Sequence, residues 1–517
     1  MTTPLPYTRW PVAEGYCGRS SYAPGDDVDL HCASRSPSFT VEVFRVGAER
    51  VSVWTSAGVH ADDHDVPARA WEIGCDWPTT VSIPTRSDWD SGYYEIWLTD
   101  EHSEGSRSQS QAFFVLRPTD TPTSPNVLLM LSTNTYNAYN QWGGRCLYSG
   151  ATAVSFQRPL ERGYLYRPSA PDEVDFDGRI ANVAEPSDPT HSRLLAYQAA
   201  NDYPLWTDSS GWHNWERRFV RWAERNNLPI GYITNADLTD HPEVLDNCRL
   251  LLTVGHDEYW SSEMRDRVDH FVESGGNWMI LGGNTCFWQV RIEDDGETMV
   301  CYKGAARFAD PVRHDQPHRL TSMWSDPVIG RPETSTIGLT FTRGGYHRVG
   351  LALADGEGAY TVHRPTHWAF DGLDLAGGDQ IGGKRFAVGY EVDGCALRFD
   401  DDGIPHPTHE DGAPDSLEIL ATAPARLISI TDDHCEAPAG LWASLDPPGD
   451  LEGVAMVLYG DASAANVEKL AQGHAVMATF ARGQGRVFHA GSADWAYGLD
   501  DDPVIQTITA NVFAHLR

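Results

Sequence analysis

The chain has 517 residues, 41% of them apolar and 22% charged, the balance of an ordinary folded protein long enough for two or three domains. Its 73 acidic residues against 39 basic ones leave a net charge of −34, which argues against nucleic acid or anionic membrane as partners, because phosphate binding needs a basic surface. No apolar run approaches twenty residues, so no membrane span is expected, and the acidity reads as a solvated surface. The opening Met1-Thr-Thr-Pro-Leu-Pro-Tyr7 has no basic stretch followed by an apolar one, so a cytoplasmic location without a secretory signal is expected. Nine cysteines, odd in number and without a CxxC pair, read as free thiols.

Residues 1–118 read as a β-sandwich of immunoglobulin-like type. Val28–Cys32, Phe39–Phe44, Val81–Ile83, Tyr93–Leu98 and Phe113–Leu116 are short strand-like runs between turn residues. A polar, proline-rich linker follows over 119–126. From 127 to 517 the texture is α/β. Val127–Leu131 is a continuous apolar strand, and Trp215, Phe219 and Trp222 mark a helix that breaks at Asn226-Asn227. Ile230–Ile233 and Leu250–Val254 read as strands. Met264, Val268, Phe271 and Val272 form one helix face, and Trp278–Leu281 resumes the sheet. This alternation predicts a parallel, doubly wound sheet. Between about 300 and 430 β-rich insertions are expected. The sheet pattern then returns with a strand at Ala455–Leu458, a helix around Ala464–Gly473, a strand at Arg486–His489 and a closing helix from about Pro503 to His515.

Polar clusters recur directly after the predicted strands: Asn134-Thr-Tyr136-Asn-Ala-Tyr139-Asn140, His256-Asp-Glu258, Gly282-Gly-Asn284-Thr-Cys286 and Gly491-Ser-Ala-Asp-Trp495. In a parallel sheet all of them collect at its carboxyl edge, where ligands bind. The runs from Asn134 to Tyr148, Gly255 to Ser261, Leu281 to Trp288 and Gly485 to Leu499 resemble the large, catalytic subunit of N,N-dimethylformamidase and its relatives. The likeness extends in order over residues 127–499. It implies a glutamine-amidotransferase-like α/β domain with an accompanying β-sandwich, and hydrolysis of a small N-substituted amide to an acid and an amine. It further implies a mononuclear iron, Fe(III), held by two tyrosines and one glutamate. Carried over by motif, the glutamate is Glu258, with His256, Asn284, Lys303 and Glu391 as further catalytic residues. Tyr139 and Tyr148 are favoured as the tyrosine ligands. This chain lacks a segment that the family carries between them, so Tyr136 stands in reserve. Relatives assemble into oligomers, which implies at least a homodimer here, with a small accessory subunit as a further expectation.

The residue types suit that chemistry. Phenolate and carboxylate are hard oxygen donors matched to a hard, highly charged ion. A free tyrosine ionises near pH 10, so two phenolates at neutral pH imply a strong Lewis acid. Such an ion polarises an amide carbonyl and acidifies water. His256 is placed to move that water's proton, Asn284 and Lys303 to hydrogen-bond the oxyanion, and His256 or Glu391 to protonate the leaving amine. Two other readings stay open. Cys286 follows a strand and could act as a nucleophile with His256 or His489 as base, although no small residue follows it as a sharp elbow requires. The sandwich and 18 tryptophans also allow a carbohydrate-binding or scaffold protein. His406-Pro-Thr-His409-Glu410 offers metal-binding side chains, but its Pro/Asp/Gly-rich surroundings read as a solvated loop.

Overall fold

A computed structural model of the chain describes residues 11–100, 102, 105–119, 126–167, 201, 203–349, 352–354, 358–429 and 449–517. Linker residues 120–125 and Cys435 lie outside these. The fold is mixed α/β and rich in strands. It divides into two compact units: one gathers Met1–Pro168, Tyr197–Asn247 and Ile292–Val300, the other Ser169–Ala196, Cys248–Arg291 and Cys301–Arg517.

The first unit begins with two sheets. One has five strands, in the order Ser21–Tyr22, Gln109–Leu116, Gly92–Asp100, Phe39–Val46, Arg50–Val59, and the other has three, Ala13–Cys17, Asp27–Ser34, Thr79–Pro84. Phe39–Val46 alternates buried and half-buried residues, the period of a strand with one face inward. Val28, Leu30 and Cys32 of the small sheet share a core with Val41, Val43, Ile96 and Phe114 of the large one, so the two sheets pack face to face. Ala13–Cys17 and Arg50–Val59 are strands that the hydrophobic pattern does not announce. The second is an edge strand, mostly exposed, and register shifts in its pairing with Phe39–Val46 break the alternation that would reveal it. Beyond the sandwich, Val127–Leu131 is buried at every position and pairs in parallel with Gly231–Thr234. A short helix, Thr133–Tyr139, follows it. The helix Glu216–Arg225 ends at Asn226 as the sequence indicates, and Asn227 turns the chain with φ +55°.

In the second unit Leu250–Gly255, Asn277–Gly282 and Gly485–His489 are adjacent parallel strands. Ser262–Glu273 is the helical crossover between the first two, and the Ser261 hydroxyl caps it by accepting from Met264 N. The parallel pattern stops at Gly485–His489. Its other neighbour is Gly473–Arg482, joined through a tight turn at Gly483, so that pair is antiparallel. A short turn can join only antiparallel strands, whereas parallel ones need a long crossover. Glu418–Ala425, Tyr360–Val362 and Gln380–Ile381 extend the sheet antiparallel. The sequence reading of a parallel sheet therefore holds for its first three strands in this unit and not beyond.

The region 300–430 is β-rich as expected. Its main feature is a long strand, Thr340–Val349, antiparallel to Tyr390–Gly394. One assignment is corrected: Ala455–Leu458 lies inside a helix, Asp450–Tyr459, bounded by Gly449 and the left-handed Gly460. Four consecutive apolar residues fit a buried strand or a buried helix turn equally well, and here the two glycines mark the ends. The next helix is short, Ala464–Glu468, and Gly473 already begins a strand. Among the described residues no helix is long and apolar enough to cross a membrane.

Candidate active site

In the second unit, two loops at the carboxyl ends of neighbouring parallel strands are zipped together by backbone hydrogen bonds. Gly283 N donates to Gly255 O at 3.0 Å and Cys286 N to Asp257 O at 2.8 Å, while Phe287 N and Trp288 N both reach Glu258 O at 2.9 Å. The zipper sets Asn284 beside His256. A third strand closes the site: a Cβ on Gly283 would stand 2.2 Å from Glu391 O and 2.6 Å from Ala493 N, so only glycine lets Tyr390–Gly394 come this near. The result is a buried polar cluster. His256 Nε2 lies 2.8 Å from Glu391 Oε2 and 3.4 Å from Glu258 Oε2. Asn284 Nδ2 donates to Glu391 Oε2 at 3.1 Å, and Trp288 Nε1 donates to Glu258 Oε1 at 2.7 Å. His256, Glu258 and Asn284 are each 2% exposed, and Glu391 4%.

Ionised carboxylates only accept hydrogen bonds. The 2.8 Å His256–Glu391 contact is a hydrogen bond through one shared proton, and Asn284 Nδ2 also lies 3.3 Å from the same Nε2. Asn284 adds a second donor to Glu391 Oε2. Below the cluster, Asp393 Oδ2 accepts from Thr285 N at 3.0 Å and faces His489 Nε2 at 3.2 Å. That pair anchors the Asn284 loop and engages His489. Lys303 is buried, with φ +51°. Its Nζ lies 5.3 Å from the Trp288 ring and 5.4 Å from that of Tyr259, so it shares with Glu258 the indole that Glu258 hydrogen-bonds. Four sequence-derived residues thus stand in contact and Lys303 borders them.

The tyrosines belong to the first unit. Leu147 N donates to Ala138 O at 3.0 Å, which folds the chain back after the helix Thr133–Tyr139. The buried Arg158 guanidinium holds the returning loop through the carbonyls of Asn137, Asn140 and Trp142, and desolvation brings its pKa down to about 10. Tyr148 is thereby stacked on Tyr139, with ring centroids 4.3 Å apart and hydroxyls separated by 2.8 Å. That spacing suits a hydrogen bond, and it sets two hard phenolic oxygens side by side. The reserve tyrosine is engaged otherwise: Tyr136 OH donates to Glu216 Oε1 at 2.6 Å. Among the described residues no group of three or more His, Cys, Asp and Glu side chains could hold a metal ion. Paired phenolic oxygens are hard donors of the kind that suit iron(III).

Cys286 is fully buried, with φ +56°. Burial pushes its thiol far above the ordinary range, and the charged groups facing it are Arg265, Glu333, Asp257 and Asp269. It has the surroundings of an inert thiol rather than an activated one. His406 pairs with Asp400 at 2.9 Å, but it lies on a short strand, Pro405–Pro407, paired with Leu397–Phe399, rather than in an irregular loop. Sequence reasoning missed two members of the site. Tyr346 OH donates to Glu391 Oε1 at 3.3 Å, and Asp450 lies near Glu391, Glu258 and Lys303. The strand pairing that sets Tyr346 opposite Glu391 leaves no local signature in the sequence.

A family model described as "N,N-dimethylformamidase beta subunit-like, C-terminal" matches residues 40–509. The N,N-dimethylformamidase beta subunit of an Alcaligenes species is 23% identical over 231 residues, which cover 43% of this chain and 29% of that protein. The aligned part thus spans under a third of the relative's length. The family match takes in most of the sandwich, all the clustered polar residues and both stacked tyrosines. This chain belongs to the N,N-dimethylformamidase beta subunit-like family.

Proposed function

We propose that this protein hydrolyses the C–N bond of a small N-substituted amide of formamide type, using a mononuclear Fe(III) held by Tyr139, Tyr148 and Glu258. The observation that carries the reading is the buried His256–Glu391 pair with Glu258 and Asn284 at a carboxyl sheet edge, in a chain of this family. The bound ion supplies Lewis acidity, polarising the amide carbonyl and lowering the pKa of water. Water adds its oxygen to the acyl carbon, the C–N bond breaks, and the amine leaves with a proton. His256 and Glu391 carry the proton traffic: the imidazole takes a proton from water and returns it to the leaving nitrogen, while Glu391 balances the transient imidazolium. Asn284 fixes Glu391 with one of its N–H bonds, and Lys303 offers positive charge to the developing oxyanion. Trp288 orients Glu258 through its Nε1–H.

The same reading takes the parallel strands as a glutamine-amidotransferase-like core. It places the protein in the cytoplasm as a homo-oligomer with a small accessory subunit, in line with the relative's name as a beta subunit. The test is amine release from N,N-dimethylformamide and a panel of small amides by the iron-supplemented protein. Turnover that His256→Ala and Glu258→Ala abolish supports the proposal. A folded, iron-supplemented protein that hydrolyses none of the amides contradicts it.

A further inference from the structure

Neighbouring residues of a strand send their side chains to opposite faces. Tyr390 and Glu391 break that rule, because both meet His256. Glu391 Oε2 lies 2.8 Å from His256 Nε2. The Tyr390 ring stands edge-on to the imidazole, with centroids 5.8 Å apart and planes at 76°. Two departures from regular backbone bring this about. Tyr390 is left-handed, with φ +51°, a conformation that a bulky residue adopts only under constraint. Opposite it the partner strand carries an extra residue: Tyr346 pairs with Glu391 and Arg348 with Tyr390, which leaves His347 over. His347 is fully buried, donates from Nδ1 to Pro424 O at 2.6 Å and accepts at Nε2 from Gly358 N at 3.0 Å, so the bulge is fixed. On the near side, Gly389 N donates to Ser492 Oγ at 3.1 Å, and Ser492 Oγ donates to Gly389 O at 3.3 Å. The backbone around a strained residue is thus pinned from both strands. Exposure sets Tyr390 apart as well. His256, Glu258, Asn284 and Glu391 are buried, whereas Tyr390 is half-buried, so this residue reaches from the imidazole to the surface.

We infer that Tyr390 is a specificity-determining residue, its ring forming the wall against which the substituents on the amide nitrogen pack. The inference rests on the amide-hydrolase reading and names the part of the substrate that is selected. In that reading His256 hands a proton to the leaving nitrogen, which puts this nitrogen within about 3 Å of the imidazole. Alkyl groups on the nitrogen then meet the apolar surface packed edge-on against the imidazole, which is the Tyr390 ring. The carbonyl oxygen is turned towards Lys303. A wall at Tyr390 therefore discriminates among the amines released rather than among the acids.

The test is kcat/KM of the full-length, iron-supplemented protein and its Y390A and Y390W variants on three amides. N,N-dimethylformamide is the reference, N,N-diethylformamide is larger on nitrogen, and N,N-dimethylacetamide is larger on the acyl side. Y390A opens the wall and raises the diethyl-to-dimethyl ratio by about tenfold or more, the scale of a methylene in an apolar pocket. Y390W narrows the space and lowers the same ratio. In both variants the acetamide-to-formamide ratio stays within about threefold of wild type. A nitrogen-side ratio that neither substitution moves, or a shift of both ratios together, overturns the inference. If Y390A does not fold, the opposite shift in Y390W decides alone. A wild type that hydrolyses none of the three amides contradicts the amide reading and the inference with it. A wild type that hydrolyses them, with variants of unmoved nitrogen-side ratio, contradicts the role of Tyr390 only.

Discussion

His256 gives one ring nitrogen to two carboxylates, and two acids and an imidazole buried together are costly unless they share protons. Exchanging Glu391 for Gln keeps the shape and removes the charge that balances an imidazolium. E391Q is expected to lower kcat on the order of 10²-fold with little change in KM; steady-state kinetics in which KM alone moves would assign Glu391 to substrate binding instead. Cys286→Ala should keep kcat/KM within about threefold, because burial keeps its thiol protonated. Loss of all turnover in a folded C286A would restore the thiol mechanism. At this scale the sequence was most legible where the site is local: His256 and Glu258 lie two apart, and Asn284 follows the next strand. Tyr346 and Asp450 were hidden. One reaches the site by strand register and the other from the first turn of a helix that reads as a strand, and neither relation leaves a mark on neighbouring residues.

Loops after strands hold the catalytic side chains, and the tightest point among them is Gly283. A methyl group there collides with the backbone of Glu391 and Ala493. Backbone atoms cannot step aside as a flexible side chain can, so Gly283→Ala should cost about 1–3 kcal/mol of stability and most of the activity. Chemical denaturation and kinetics of one preparation check both. A fully active G283A of wild-type stability would mean that the strand carrying Glu391 need not sit so close. The elements themselves were legible where one face is buried, as in Phe39–Val46 or Ser262–Glu273. They were illegible where packing alone decides: the exposed edge strand Arg50–Val59, the helix around Ala455 and the antiparallel half of the second unit's sheet.

For the whole molecule, charge sets a pH dependence. Burial is the main cause that pushes Glu161, Glu333 and Asp450 up to about 7, well above the ordinary carboxyl values they regain on unfolding. Folding therefore takes up protons below about pH 8, and stability rises as pH falls from 8 towards 6.5. Relief of self-repulsion at a net charge of −34 acts in the same direction. Below 6.5 the trend flattens, because burial lowers the pKa values of His363, His367, His474 and His515 and charging them opposes folding. Tm should be higher at pH 6.5 than at pH 8, and Glu333→Gln should shrink the difference; a Tm that is lower at pH 6.5 than at pH 8 would show that these carboxyls are solvated. The assignment of an iron site depends on residues far apart in sequence, Tyr139, Tyr148 and Glu258. The measurement that tests it most directly is iron content together with the visible absorption spectrum of wild type, Y139F and Y148F. The account predicts about one iron per chain and a phenolate-to-iron charge-transfer band that weakens in either variant. A colourless protein that takes up no iron would contradict it.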